Sequence, residues 1–291
     1  MRNILKINTL LIIMLLLSIL ATSKPAYAGP WTLSRRGKFA EIYHKFYHAS
    51  HDYDKDKQVS RKANDGRYDE YYLEIKGEWG ITDNLNYLAS LTYKDVRYRN
   101  DPITGERTFQ RGTSLGDLWL QIKYRFMDET KNDPNFFTTA MQLSGKFPMF
   151  YDRNNPQPPG TGYIDGGLTY LIGKNLPGIN SYAAAETGFF LKGGPKSNYI
   201  PYSVEYGWQA TEHFMLKGVV EGIESLSHWA GLEEDYTVWD VFLIYTKKGE
   251  VSTVYRDTTR NLNIQVGYGE TFRGRNTGKG EELIFSTSYR F

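Results

Sequence analysis

The sequence predicts an all-β protein, a transmembrane antiparallel up-and-down β-barrel of about twelve strands. Three observations predict it. From Phe39 onward the chain cycles between segments of period-two alternation and turn-forming clusters. The alternating segments are long enough to cross a bilayer at a tilt, which takes about 9–11 residues, whereas globular strands average about 5–6. The final stretch, Leu283–Phe291, still alternates at its last residue, as expected of a strand that closes a barrel by pairing with the first.

The first residues, MRNILKIN, carry only Arg2 and Lys6 as charges; an apolar run from Thr9 to Leu20 follows, and then Ala26-Tyr27-Ala28. A basic front, a short apolar middle and an A-x-A exit make a secretory signal peptide. The expectation is a leader over 1–28, cleaved after Ala28, and a barrel over 29–291 in the bacterial outer membrane. Beyond Leu20 no long apolar run exists and mean hydropathy is -0.52, which excludes a helical membrane protein.

Strands are expected near 38–50, 67–80, 84–98, 114–126, 135–148, 161–173, 180–193, 198–210, 213–226, 235–247, 260–273 and 281–291. In the fourth, Leu118, Leu120, Ile122, Tyr124 and Phe126 oppose Asp117, Trp119, Gln121, Lys123 and Arg125, and a strand must place these sets on opposite faces of its sheet. The second splits Tyr71, Leu73, Ile75 and Trp79 from Tyr72, Glu74, Lys76 and Glu78; the tenth splits Trp239, Val241, Leu243 and Tyr245 from Val238, Asp240, Phe242 and Ile244. Connectors alternate in character. Those at 81–84, 175–178 and 211–212 are short, and those at 51–66, 100–112, 150–160, 227–234 and 274–280 are longer or more polar, as for periplasmic turns and outer loops. The segment 249–261 is long for a turn, and VSTVYR within it could be strand.

Composition agrees. Tyr 23, Phe 15, Trp 6 and Gly 28 suit an all-β closed sheet, and with no cysteine no disulfide can staple it. A net charge of +2 gives no footprint for nucleic acid. The expected partners are outer-membrane lipid, a small-molecule solute, and the barrel-assembly machinery, which would engage the C-terminal strand ending at Phe291. No cofactor or metal is expected: GRNTGKG, Gly274–Gly280, is one residue short of a phosphate loop, and C-x-x-C, H-E-x-x-H and calcium-loop patterns are absent.

The inward faces carry the candidate functional residues: Glu74, Lys76, Asp117, Trp119, Lys123, Arg125, Asp165, Glu186, Glu205, Lys217, Glu221 and Asp240, with Glu78, Lys94 and Lys146 beside them. Charges in a lumen need partners or water, so many should be paired, and the others can set selectivity. Tyr72, Trp119, Tyr163, Tyr182 and Phe242 are the expected inward aromatics. Twelve strands about 4.8 Å apart and tilted about 40° give a backbone diameter of roughly 24 Å, a bore for a small solute.

The turn G-I-T-D-N-L, Gly80–Leu85, followed by S-L-G-D-L-W-L-Q-I-K-Y-R-F, Ser114–Phe126, resembles the bacterial outer-membrane barrels of the phenol-degradation MetA-pathway family. The resemblance covers chiefly residues 70–130. It implies an outer-membrane barrel concerned with uptake of small hydrophobic or aromatic compounds and assigns no binding residue.

A narrow channel or binding pore, not an enzyme, is the reading preferred. Two others stay open. A rim hydrolase would need a His beside a Ser or carboxylate, and His228 lies close to Ser225, Ser227, Glu224 and Glu233 in sequence. A structural or adhesive barrel would bind partners through the loops 51–69 and 150–159.

Overall fold

The computed structural model describes residues 29–100, 108–129, 136–149, 151, 152, 154, 158–194, 197–226, 234–247 and 261–290. The expected leader, 1–28, lies outside them, as do Phe291, VSTVYR and His228.

Twelve antiparallel strands form the wall: β1 Lys38–Tyr53, β3 Arg67–Gly80, β4 Leu85–Asn100, β5 Thr108–Met127, β6 Thr138–Pro148, β7 Asp165–Leu176, β8 Ser181–Lys192, β9 Tyr199–Gln209, β10 Phe214–Ser225, β11 Asp235–Lys247, β12 Asn261–Arg275 and β13 Thr277–Arg290. A thirteenth element, β2 Val59–Arg61, folds back on the outer end of β1, with His51 opposite Arg61. Each wall strand pairs with the next, and β13 pairs with β1 from Phe39↔Arg290 to Tyr53↔Thr277. The ring is closed by that pairing, as expected of a barrel. Four-residue turns at 81–84, 177–180 and 210–213 sit at one end, which marks it as periplasmic.

Several boundaries depart from expectation, each for a local reason. The loop expected at 274–280 is a one-residue turn: Asn276 adopts φ 48 between β12 and β13. Asparagine tolerates that left-handed conformation better than most residues. β5 starts at Thr108, not 114, because its outer part, Thr108–Thr113, is polar but for Phe109 and gives no apolar alternation. The strand expected at 161–173 runs instead from Asp165 to Leu176.

β5 also changes phase within itself. Thr92 of β4 faces a bulge at Gly116–Asp117; its hydroxyl accepts the Asp117 amide at 3.1 Å and donates to the Asp117 carbonyl at 3.3 Å. The extra residue turns both Leu115 and Leu118 outward. Past the bulge the two faces separate as expected.

Outward positions are apolar and exposed on every strand: Ile75, Ile122, Leu143, Leu168, Val204, Leu216, Val241, Leu243, Val266 and Leu283 among them. Such a continuous belt in water would cost about 25 cal/mol per Å² of apolar surface, so it must face hydrocarbon. Val241 lies between Trp239 and Tyr245 on the outward row of β11, near mid-band. We expect Val241→Arg to destabilise the barrel in lipid vesicles by about 2–4 kcal/mol, and the inward Gln121→Glu to change it far less, measured by urea unfolding.

Candidate functional site: the barrel lumen

The twelve candidate residues all project into the barrel interior, because each occupies the polar phase of its strand. Most are paired as lumen charges must be. Lys123 meets Glu78 at 3.2 Å, Lys76 meets Glu41 at 3.5 Å, Lys217 meets Glu205 at 3.6 Å, and Arg125 meets Asp128 at 3.1 Å. Asp117 and Asp165 share Lys146. Glu74 accepts from the Tyr72 hydroxyl at 3.3 Å and Glu205 from the Tyr182 hydroxyl at 2.6 Å. Asp240 is buried against Gly269, its neighbour across β12. Glu221 is exposed although it points inward from mid-strand, so the lumen beside it has room for water.

The inward aromatics lie against the wall. Tyr182 sits opposite Gly207, Phe242 opposite Gly267, and Phe190 opposite Gly167. A Cβ on those glycines would come within 2.0, 2.3 and 2.4 Å of the respective rings. Each ring therefore covers the bare backbone of the facing strand instead of filling the bore. Tyr163 is a correction: it precedes β7 and rests on Gly194 (φ 102), in a loop rather than on a strand.

The periplasmic end is closed by a segment that no sequence signal marked. Residues 29–37 run inside the ring and form an N-terminal strap. Trp31 is 4% exposed and meets Tyr182 edge-on, with ring centroids 5.7 Å apart. It joins Ala184, Met215, Val219, Phe242, Ile244 and Ile284 in one apolar cluster. The strap is pinned by polar contacts. The Trp31 indole donates to Glu129 at 3.4 Å, Lys123 donates to the Gly29 carbonyl at 3.4 Å, and Thr32 donates to the Asp83 carbonyl at 2.7 Å. The strap also pairs with the last residue of β3, Gly80, whose N–H donates to Gly37 O at 2.9 Å and whose carbonyl accepts from Arg36 N–H at 2.8 Å. Glu129 also accepts from the Asn175 amide at 3.0 Å, which holds its carboxylate at the rim. Gly173 is where the strap crosses the wall: a Cβ there would stand 2.8 Å from the Trp31 ring.

The outer half has a second aromatic group. Trp119 meets Phe190 edge-on at 6.1 Å, and Phe190 stacks on Tyr199 at 5.2 Å and 17°. Lys192 lies 4.8 Å from the Tyr199 ring centroid. Above them the loop before β7 tucks inward: the Tyr151 hydroxyl donates to Asp117 at 2.6 Å and accepts the Gly162 amide at 2.8 Å. Burial, and then the hydrogen bond to Asp117, raise the Tyr151 phenol well above its ordinary pKa, so this latch stays protonated through the physiological range. Phe190, Tyr199 and Tyr151 were not singled out in the sequence; Phe190 was legible as the inward partner of Gly167 only once the register was known.

The other readings gain little from the described residues. The Ser225 hydroxyl donates to the Glu234 carbonyl and its amide to Asp235, so it is engaged as a strand-end cap. His44 faces outward against Tyr71, and His48 faces outward against Asp69.

Fold and interior together define an outer-membrane-type β-barrel with a polar, partly occluded lumen. No protein-family model matches the chain, and no curated protein matches it. Among solved structures, an outer membrane channel from Pseudomonas putida F1 is similar over 92% of this chain and 100% of its own, with a TM-score of 0.69 and 12% identity. The KdgM porin overlays more loosely, with a TM-score of 0.44 and 10% identity over 86% of this chain and 99% of its own. The likeness to the Pseudomonas channel is one of fold, and it matches the closed ring described above.

The packing of the aromatics on bare backbone is testable. Gly207→Val would drive its Cβ into Tyr182 and loosen Trp31, and should cost about 1–3 kcal/mol in urea unfolding. Gly218→Val, where a Cβ meets nothing within 4 Å, should be close to neutral.

Proposed function

We propose that this barrel is an outer-membrane channel or binding pore for small solutes with an apolar or aromatic part, shut at its periplasmic end by the strap in the conformation described. The observation that carries the reading is the Trp119–Phe190–Tyr199 group, placed between the outer mouth and the charged waist. Trp119 and Tyr199 are half-buried, held in place by the buried Phe190 between them, and offer ring surface to a passing ring, worth about 0.5–1.5 kcal/mol per contact beyond area burial. The resemblance of residues 70–130 to the MetA-pathway family supports the same solute class.

Below the aromatics, Glu74, Lys76, Lys123, Glu186, Glu205, Lys217, Glu221 and Asp240 form the waist. Its ion pairs hold the shape, and the acids at 186 and 221, which have no salt bridge among the described residues, set a preference for cations over anions. Asp117, Asp165 and Lys146 form the outer constriction with Tyr151, and Arg125 donates at 2.9 Å to the Asp83 carbonyl of the 81–84 turn, the same carbonyl that takes the hydroxyl of Thr32 in the strap. Passage then requires that the strap leave its seat, with Trp31 as the latch. Export by the leader at 1–28 and insertion through the strand ending at Phe291 complete the proposal.

Planar-bilayer recordings of refolded protein test it. We expect small, cation-preferring steps that an aromatic solute reduces, and larger steps from Trp31→Ala. Glu186→Gln with Glu221→Gln should move the reversal potential in a salt gradient toward anions. Trp119→Ala with Phe190→Ala should abolish block by the aromatic solute while leaving conductance intact. Silence from both the parent and Trp31→Ala would refute the channel reading.

A further inference from the structure

The outward face of β3, β4 and β5 changes character abruptly near its outer end. On β4 the outward row is Tyr87, Ala89, Leu91 and Tyr93, followed by Asp95, Arg97 and Arg99; on β3, Ile75, Leu73 and Tyr71 give way to Asp69 and Arg67; on β5, Leu118 and Leu115 give way to Thr113 and Arg111, with Phe109 beyond them opposite Arg99. Four arginines and two aspartates thus stand directly above the apolar band, beyond an aromatic row of Phe46, Tyr71 and Tyr93.

Their register is unusual. Arg97 lies opposite Arg111, and Arg67 opposite Arg99. Like charges facing each other across strands destabilise a sheet, so two such rungs side by side imply a compensating anion. The aspartates compensate in part. Asp95, only 8% exposed, accepts from Arg111 at Nε and Nη2, both at 2.8 Å, and from Arg97 at 2.6 Å. Asp69 accepts from Arg99 at 3.3 Å and contacts His48 at 2.7 Å. These carboxylates lie beneath the guanidinium groups and hold them in place, while the arginine side chains remain 44% to 59% exposed on the outer surface. Within this group, counted over the described residues, the four arginines exceed the two aspartates by two positive charges.

We propose that this face docks the phosphorylated sugar headgroup of lipopolysaccharide from the outer leaflet. Charge complementarity and height select that occupant. Guanidinium groups pair with phosphate through forked hydrogen bonds, and the phosphates of this lipid lie on the sugars that carry its acyl chains, level with the first polar row above the hydrocarbon. A soluble anionic partner would have no reason to sit at the edge of the apolar band. The surface is also lateral: on β12 and β13 the first outward positions past the band are Glu270 and Glu281, with a single basic residue, Lys279, beyond them on β13, and Arg273 nearby is paired with Glu224 at 3.4 Å. The docked lipid would orient the barrel toward one side and steady the long β4–β5 ribbon.

The test uses the full chain folded in a neutral detergent and three probes: deep-rough lipopolysaccharide, its dephosphorylated form, and phosphatidylglycerol. Bound lipid is counted by native mass spectrometry, and folding is verified by heat-modifiable gel mobility. We expect lipopolysaccharide to bind at least about tenfold more tightly than either other lipid, and Arg97→Gln with Arg111→Gln to remove that margin. Arg67→Gln with Arg99→Gln should weaken binding in the same direction and serves if the first pair does not fold. Arg273→Gln, on the acidic side, should leave binding unchanged. Equal binding of the dephosphorylated lipid, stronger binding of phosphatidylglycerol, or an equal loss in Arg273→Gln would each overturn the proposal.

Discussion

Everything in this molecule depends on one demand: in hydrocarbon, every backbone amide and carbonyl must find a partner within the protein. The pairing of β13 with β1 meets it. Without that seam, two strand edges from Phe39 to Tyr53 and from Thr277 to Arg290 would present rows of unpaired groups to lipid. Closure then dictates the division of faces. Once the ring is complete, each strand has one side in hydrocarbon and one in the lumen, and the side-chain period of two assigns every residue between them.

The lumen follows from that division. Its polar residues cannot be left alone in a partly desolvated space, which is why lysine–carboxylate pairs such as Lys45–Glu282 at 3.0 Å tie neighbouring strands across the interior. Its aromatic residues are laid on facing glycines, so bulk is stored in the wall and the bore is spared. The strap then closes one end with an apolar seat around Trp31 and a rim of hydrogen bonds.

Much of this was legible beforehand because it rests on periodicity. Strand order, the inward projection of Glu74, Lys123, Glu205 and Asp240, and the outward projection of Leu283 and Phe285 all follow from alternation alone. What was not legible rests on single residues or distant contacts. The phase change at Gly116 depends on Thr92, on another strand. The tight turn at Asn276 replaces an expected loop through one left-handed residue. At the arginine rungs the contrast is reversed, with Val96 and Tyr98 facing inward and Asp95, Arg97 and Arg99 outward, and the outer part of β5 carries Phe109 as its one large apolar residue, so the alternation does not read as a lipid face there. The strap has no periodicity at all, and its seat is made by residues of β8, β10, β11 and β13 that are far from it in sequence.

The seam is the claim on which the account stands, and the chain's lack of cysteine makes it directly measurable. Ile42 and Thr287 face each other across β1 and β13, while Ile264 and Thr287 face each other across β12 and β13. Opposed strand residues have Cα atoms about 4.5–5.5 Å apart, within reach of a disulfide. Two double variants, Ile42→Cys with Thr287→Cys and Ile264→Cys with Thr287→Cys, would be folded into lipid vesicles, oxidised, and followed by gel mobility after cleavage between the paired strands. The closed ring predicts that both pairs cross-link, at rates that differ because Thr287 makes a hydrogen-bonded pair on one side and a non-hydrogen-bonded pair on the other; efficient linkage of 264 to 287 with none of 42 to 287 would contradict it.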